Sequence, residues 1–213
     1  MTWPILARDA DGRFGVVIAS RFFAAGALCV HMRRGVGALA TQALMNPLYG
    51  AAGLDLLSDG RSAADVVRTL VAADAGRDHL LFENFSVAGN MLAGPQVIEA
   101  TAQAYRDADG LPLAERLLAA LAAGEAAGGD KRGKQAAALR IHADEDHPQL
   151  DLRVDDHTEP IIELQRLYRV SLQRYQPFMA CLAGRFDPVG LTDRAEVEAC
   201  IEAFHATRMA GKP

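Results

Sequence analysis

Apolar residues near the start of the chain run continuously and do not recur at helical spacing. Trp3 to Arg8 and Gly15 to Ser20 are two such runs, flanking Asp9-Ala-Asp-Gly-Arg13. The Asp-Gly step between apolar runs is a strong hairpin signal, and unbroken apolar character suits strands covered on both faces. Leu28 to His31 and Val36 to Thr41 predict a second short pair around Arg33-Arg34-Gly35.

The period then changes. Asn46-Pro47 offers an N-cap and a proline at the first helical position, and Gly60 closes that helix. Ser62 with Asp65 resembles a capping box, followed by Val66, Leu70 and Ala73 as an inward stripe. Strand character returns from His79 to Val87. Two helices are expected from Pro95 and Pro112, ending near Gly110 and Gly124. Strands over Ala136 to Ala143 and Leu150 to Val154 follow, then a long helix from Pro160 and a last one over Thr192 to Met209. Helix pairs inserted between groups of strands fit a layered sandwich better than an alternating parallel sheet. Gly184, Pro188 and Gly190 interrupt the helical pattern after Pro177. The expected organisation is a domain over residues 1–180 and a C-terminal helical extension over 181–213 packed on it.

Two polar runs stand out from this pattern. Asp151 to His157 reads Asp-Leu-Arg-Val-Asp-Asp-His, and strand alternation puts Leu152 and Val154 inward with Asp151, Arg153, Asp155 and His157 on the opposite face. One strand earlier stands Gly128-Gly-Asp-Lys-Arg-Gly-Lys-Gln135.

Composition narrows the class. Half of the 213 residues are apolar and 23% are charged, so a sizeable core can form. A formal charge of −5, with no dense Lys/Arg block, argues against a nucleic-acid partner. No apolar run approaches the thickness of a bilayer, and the start lacks the basic and apolar regions of a signal peptide. A soluble cytoplasmic protein without a membrane partner is expected. Cys29, Cys181 and Cys200 are far apart, odd in number and without zinc or disulfide spacing, so they read as small buried hydrophobes.

Several runs together carry a resemblance. They are Thr2-Trp-Pro-Ile-Leu-Ala-Arg-Asp9, Gly35-Val-Gly-Ala-Leu-Ala-Thr-Gln42 with Asn46-Pro47, Gly89-Asn-Met-Leu-Ala-Gly94, Gly128 to Gln135, and Leu152 to His157. In this order, from Thr2 to about Tyr175, they look like the bacterial domain-of-unknown-function 1028 family, whose fold is grouped with the N-terminal-nucleophile (Ntn) hydrolases. The resemblance implies an α+β fold, a four-layer α/β/β/α sandwich, and no established activity. It also implies a longer segment with a hairpin where this chain runs from His79-Leu-Leu-Phe82 almost directly into Phe85. Either a hairpin is deleted there or residues are missing from the sequence as written; the unpaired edges that a deletion would leave favour the second.

Thr2 is the sharpest chemical candidate. Once Met1 is removed, a threonine with a free α-amine carries nucleophile and base in one residue, and it leads directly into a strand. Met-Thr is also an ordinary way for a chain to begin. Ntn enzymes support the nucleophile with an Asp near the end of the second strand and a Lys before a later one; here those places hold Ser20-Arg21 and His31 with Arg33 and Arg34. Ser20 can simply end a strand, and His31 can be a satisfied histidine. Asn90 is placed to donate to an oxyanion, or to serve as a turn residue. Arg132, Arg153, Asp155 and His157 are candidates for substrate recognition. Asp155 with His157 can also hold a metal if His142 joins them, although Arg153–Asp155 pairing and capping of the Pro160 helix by Asp156 or Thr158 explain the same residues. The expected function is hydrolysis of an amide bond in a small substrate, without a cofactor, in a homodimer. A non-catalytic, self-associating binding or scaffold protein and a metal-dependent hydrolase are the rivals.

Overall fold

In the computed structural model, residues 2–42, 46–71, 80–81 and 84–210 are described. The chain divides into two compact units, Met1–Leu164 and Gln165–Pro213. Ala73, His79 and Phe82, on which parts of the helix-stripe, strand and missing-hairpin expectations rest, lie outside the described residues.

The first unit is α+β. Its main sheet is antiparallel and six-stranded, in the order β5-β6-β1-β2-β7-β8. β1 is Thr2–Arg8, β2 Phe14–Ser20, β5 Leu80–Leu81, β6 Phe85–Val87, β7 Ala136–His142 and β8 Leu150–Val154. Asp9 makes the predicted β1–β2 turn: its carboxylate accepts from the Arg13 backbone N–H at 2.9 Å and from Arg13 Nε at 2.7 Å. The register pairs Thr2 with Ser20 and Arg8 with Phe14, so the two strands end together. β5 pairs directly with β6, Leu80 opposite Val87, so β5 takes the sheet edge that β6 would otherwise present.

Both faces of β1 and β2 are covered, as their unbroken apolar runs require. Trp3, Ile5, Val16, Val17, Ile18 and Ala19 are all fully buried. On one face lie α4 (Gln96–Asp107) and α5 (Leu113–Ala126). Gly15 admits them: a Cβ there would stand 2.6 Å from Leu117 Cδ1. On the other face, Val16, Ile18, Ala136 and Ala138 pack with Ala25, Cys29 and Val30. The second sheet is the hairpin of β3 (Val30–Arg33) and β4 (Gly37–Ala40), and α2 (Leu48–Ser58) packs on both of its strands and on α3 (Ala63–Val71).

Most predicted elements form for the reasons read in the sequence. Asn46 Oδ1 accepts the Leu48 N–H at 3.0 Å, and Ser62 Oγ accepts the Asp65 N–H at 3.1 Å. One expectation changes. The strand expected from Leu28 begins at Val30, after a short helix, α1 (Ala25–Cys29). Gly26 lets that helix lie on β7, since a Cβ would stand 2.2 Å from the Ala138 methyl. α5 ends at Ala126, close to the expected Gly124. Gly124 serves close packing, because a Cβ there would meet Thr101 Oγ1 at 2.2 Å and Trp3 Nε1 at 3.2 Å.

The helix begun at Pro160, α6 (Pro160–Ser171), crosses the division between the two units. In the second unit, α7 (Tyr175–Met179) packs against α8 (Arg194–Ala210). Asp193 caps α8, its Oδ1 accepting from the N–H groups of Ala195 and Glu196. Arg174 grips Glu198 with two hydrogen bonds of 3.0 and 2.6 Å. Among the described residues no helix is long and apolar enough to cross a membrane.

Candidate functional site

Polar chemistry gathers where β1 begins and β2 ends. Strand pairing sets Thr2 opposite Ser20, and their hydroxyls lie 3.0 Å apart. Thr2 is 4% exposed and Ser20 not at all. Ser20 Oγ also accepts the Phe22 N–H at 3.0 Å, which fixes its rotamer. In the Thr2–Ser20 contact either hydroxyl can be the donor.

Two loops run to the same end. β6 is antiparallel to β1, so the chain leaving Val87 passes the beginning of β1, with the Ala88 N–H on the Pro4 carbonyl. Asn90 follows two residues later. Its Nδ2 is buried and finds no hydrogen-bond partner among the described residues. The next residue, Met91, has a φ of 48°, so backbone strain is spent on shaping this turn. Leu92 bridges to Asp130, joining the Asn90 loop to the Gly128–Gly133 loop.

Asp130 is the acid that sequence reasoning passed over. Its side chain is fully buried, and its carboxylate accepts the Arg132 N–H at 2.8 Å. Burial pushes this carboxyl above the ordinary range, against the pull of the Arg132 and Arg21 backbone N–H groups and the Arg21 charge. The resemblance drawn from the sequence leads to the expectation of an Asp near the end of the second strand. Here a buried Asp comes from a distant loop and meets the residue after Ser20. The only signal in the sequence was one acid enclosed by glycines.

Beside Ser20 opens a groove of about 640 Å³ lined by Arg21, Gly133, Lys134, Gln135, Asp156, His157 and Thr158. Gln135 organises it. Its backbone N–H donates to the Ser20 carbonyl and its carbonyl accepts from the His157 N–H, both at 2.8 Å. Its amide oxygen accepts from Arg21 at 3.0 Å and its amide nitrogen donates to Asp156 at 2.9 Å. With both ends of the amide engaged, Arg21 and Asp156 are held on either side of one residue. Lys134 bridges Glu125 and Glu159 at 2.8 and 2.5 Å.

The other sequence candidates fall outside this cluster or into local pairs. Val30 and Met32 face the main sheet, so the intervening His31 turns away, and its ring lies where a Cβ of Gly50 in α2 would stand. Burial first, then the Arg140 charge, lowers its pKa. Arg132 folds back onto Asp130. Arg153 and Asp155 form an exposed pair at 2.7 Å, on the face opposite Val154 as the alternation predicted. His157 Nδ1 accepts the Glu159 N–H at 2.9 Å, so His157 makes the turn into α6. His142 pairs with Phe14 at the far end of β7 from Gln135, which keeps it from joining Asp155 and His157 on one ion. Among the described residues no three His, Cys, Asp or Glu side chains gather as a metal-holding group.

The class of molecule is thus an α+β protein whose antiparallel sheet carries a buried hydroxyl pair at one end. The model of the DUF1028 family, a family of unknown function, matches residues 2–80 and 77–164, and the chain belongs to that family. The two matched pieces overlap at residues 77–80. A crystal structure of a DUF1028 protein from Silicibacter pomeroyi is similar, with 26% sequence identity and a TM-score of 0.80 over 90% of this chain and 99% of that one. No curated protein matches the chain.

Proposed function

We propose that the protein is an N-terminal-nucleophile amidohydrolase acting on a small substrate through Thr2. The observation that carries this reading is the buried Thr2–Ser20 hydroxyl pair at the start of a central strand. The order of layers supports it: helices α4 and α5, the six-stranded sheet, the β3–β4 hairpin, then α2 and α3. That order is the one expected of an Ntn sandwich.

In this reading Met1 is removed and the Thr2 α-amine, whose reference pKa is about 8, accepts the hydroxyl proton. Thr2 Oγ1 attacks the amide carbonyl carbon, and the electron pair moves onto the carbonyl oxygen. Asn90 Nδ2 donates to that oxyanion, and Ser20 orients the attacking hydroxyl. Collapse breaks the C–N bond, the leaving amine takes the proton, and water then hydrolyses the Thr2 ester. The groove organised by Gln135 receives the substrate. Its walls are Arg21, Asp156 and His157, so the recognition assigned in the sequence to Arg132, Arg153 and Asp155 shifts to their neighbours.

A binding protein without catalysis is the second reading, favoured by the absence of Thr2 from the groove lining. Two measurements separate them. Intact mass of the purified protein is expected to lack Met1. Release of p-nitroaniline from a panel of small acyl anilides is expected to fall by about 10³-fold or more in Thr2→Ala. A retained Met1, or activity unchanged in Thr2→Ala, overturns the hydrolase.

A further inference from the structure

The second unit brings together two cysteines that stand nineteen positions apart in the sequence: Cys181 Sγ lies 2.7 Å from Cys200 Sγ. That is closer than unbonded sulfurs rest against each other, so a covalent bond requires little movement of either residue. Cys181 is 3% exposed and sits just after α7, where its thiol also donates to the Pro177 carbonyl at 3.3 Å. Cys200 is half-buried on α8. Between them the chain makes a closed loop. The Leu191 N–H donates to the Cys181 carbonyl at 2.9 Å, and the Gly184 N–H to the Asp187 carbonyl at 2.8 Å. Asp187 Oδ1 accepts from Gly190 at 3.1 Å. The loop exposes Phe186 and Val189, so it contributes little apolar burial of its own. Its attachment to α8 is what a bond at Cys181 would secure.

We propose that Cys181 and Cys200 are a dithiol–disulfide modification site, oxidised by a low-molecular-weight disulfide, whose closure ties the 182–193 loop to α8. Cys200, the more accessible sulfur, attacks first as thiolate: an S–S bond forms to one half of the oxidant and the other half departs as thiolate. Cys181 then attacks the Cys200 sulfur, forming the internal bond and expelling the second thiol, to which the Cys181 proton passes. The two cysteines are oxidised by two electrons and one oxidant disulfide is reduced to two thiols. Burial, then the neighbouring Cys200, pushes the Cys181 thiol up to about 11, which makes it the second and not the first to react. The bond constrains the unfolded loop, so its effect is greatest on local opening.

The reduced full chain, freed of reductant, is incubated with glutathione disulfide. Thiols titrated in denaturant are expected to fall from the three of the sequence to one, with a loss of two hydrogens in intact mass and a Cys181–Cys200 peptide on mapping. Cleavage within residues 182–193 by a broad-specificity protease is expected to slow several-fold on oxidation, and to stay unchanged in Cys200→Ser. Cys29→Ala is expected to oxidise as the parent does. Three thiols remaining after incubation, a persistent glutathione adduct, or a bond through Cys29 or between chains would overturn the proposal.

Discussion

At one end of the six-stranded sheet, β1 and β2 finish in Thr2 and Ser20, two buried hydroxyls 3.0 Å apart. At the other end the same strands finish in Arg8 and Phe14, with the Arg8 guanidinium 5.5 Å from the Phe14 ring centre. That far end repeats the device. Arg116 lies 4.2 Å from the Tyr105 ring centre and Arg106 lies 5.4 Å from that of Phe85, around a cleft of about 520 Å³. Long cations laid over rings hold charge at a surface while their stems stay covered. The hydroxyl end instead holds its polar groups by hydrogen bonds from backbone N–H groups. The two ends differ in their chemistry. The far cleft offers charge and flat apolar surface but no aliphatic hydroxyl or thiol among its lining residues, and burial pushes the Tyr105 phenol up and keeps it protonated. The hydroxyl end offers two buried hydroxyls, a buried amide donor and a buried acid.

The largest effect is expected where the hydroxyl end rests on the core. Trp3 is fully buried, and its ring packs beneath Gly124 and Gly129. Trp3→Ala is expected to cost about 3–5 kcal/mol in urea unfolding. Hydrogen exchange should rise first in the Gly128–Gly133 loop and not around Arg116. Equal loosening of both ends would erase the comparison.

A finer cut compares one polar group from each end. Ser20→Ala leaves the Thr2 hydroxyl and the Phe22 N–H without their acceptor or donor, and is expected to cost about 1–3 kcal/mol. Arg116→Met keeps most of the stem on Tyr105 and loses the cation–ring attraction, a long hydrogen bond to the Tyr105 carbonyl and an ion pair with exposed Asp109, about 0.5–2 kcal/mol. Chemical denaturation of both variants gives the order, and the reverse order would contradict the greater cost of breaking buried hydrogen bonds at the hydroxyl end.

The smallest effect is a pH slope from the far end. Burial first, then the Arg140 charge, lowers the pKa of His142 below its ordinary 6.5. The unfolded chain then binds the proton more readily than the folded one. Stability is expected to fall as pH drops from 6.5 toward the folded-state value and to level off below it. His31, lowered for the same two reasons, adds to the slope. Urea midpoints at about pH 7 and about pH 5 in the parent and in His142→Gln should show a smaller drop in the variant. An equal drop would place the slope elsewhere.

Local pattern reached far into this fold. The β1–β2 hairpin was legible because Asp9 and Gly12 make a turn that needs no distant partner. The starts of α2 and α3 were legible because Asn46 and Ser62 cap their own helices. α1 was not, since a helix of five residues has little period, and Gly26 looks like a loop residue until β7 lies against it. The packing role of Gly124 was hidden in the same way: a glycine that admits Trp3 and one that stands near a helix end are the same letter. In the site, Thr2 and Ser20 were legible as strand ends and Asn90 as a turn. Asp130 and Gln135 were not, because their importance is burial and the number of groups they join.

The amino-acid sequence by itself determined the strands and most of the helices, their order, and the family, because these rest on local periodicity, capping and runs of residues in order. Tertiary structure alone decided which distant residues meet: Ser20 with Thr2, Asp130 with Arg21, Gln135 between two strand ends, and Cys181 with Cys200. Those meetings follow from strand register and loop closure, which depend on how the whole core packs, and no window of sequence contains them.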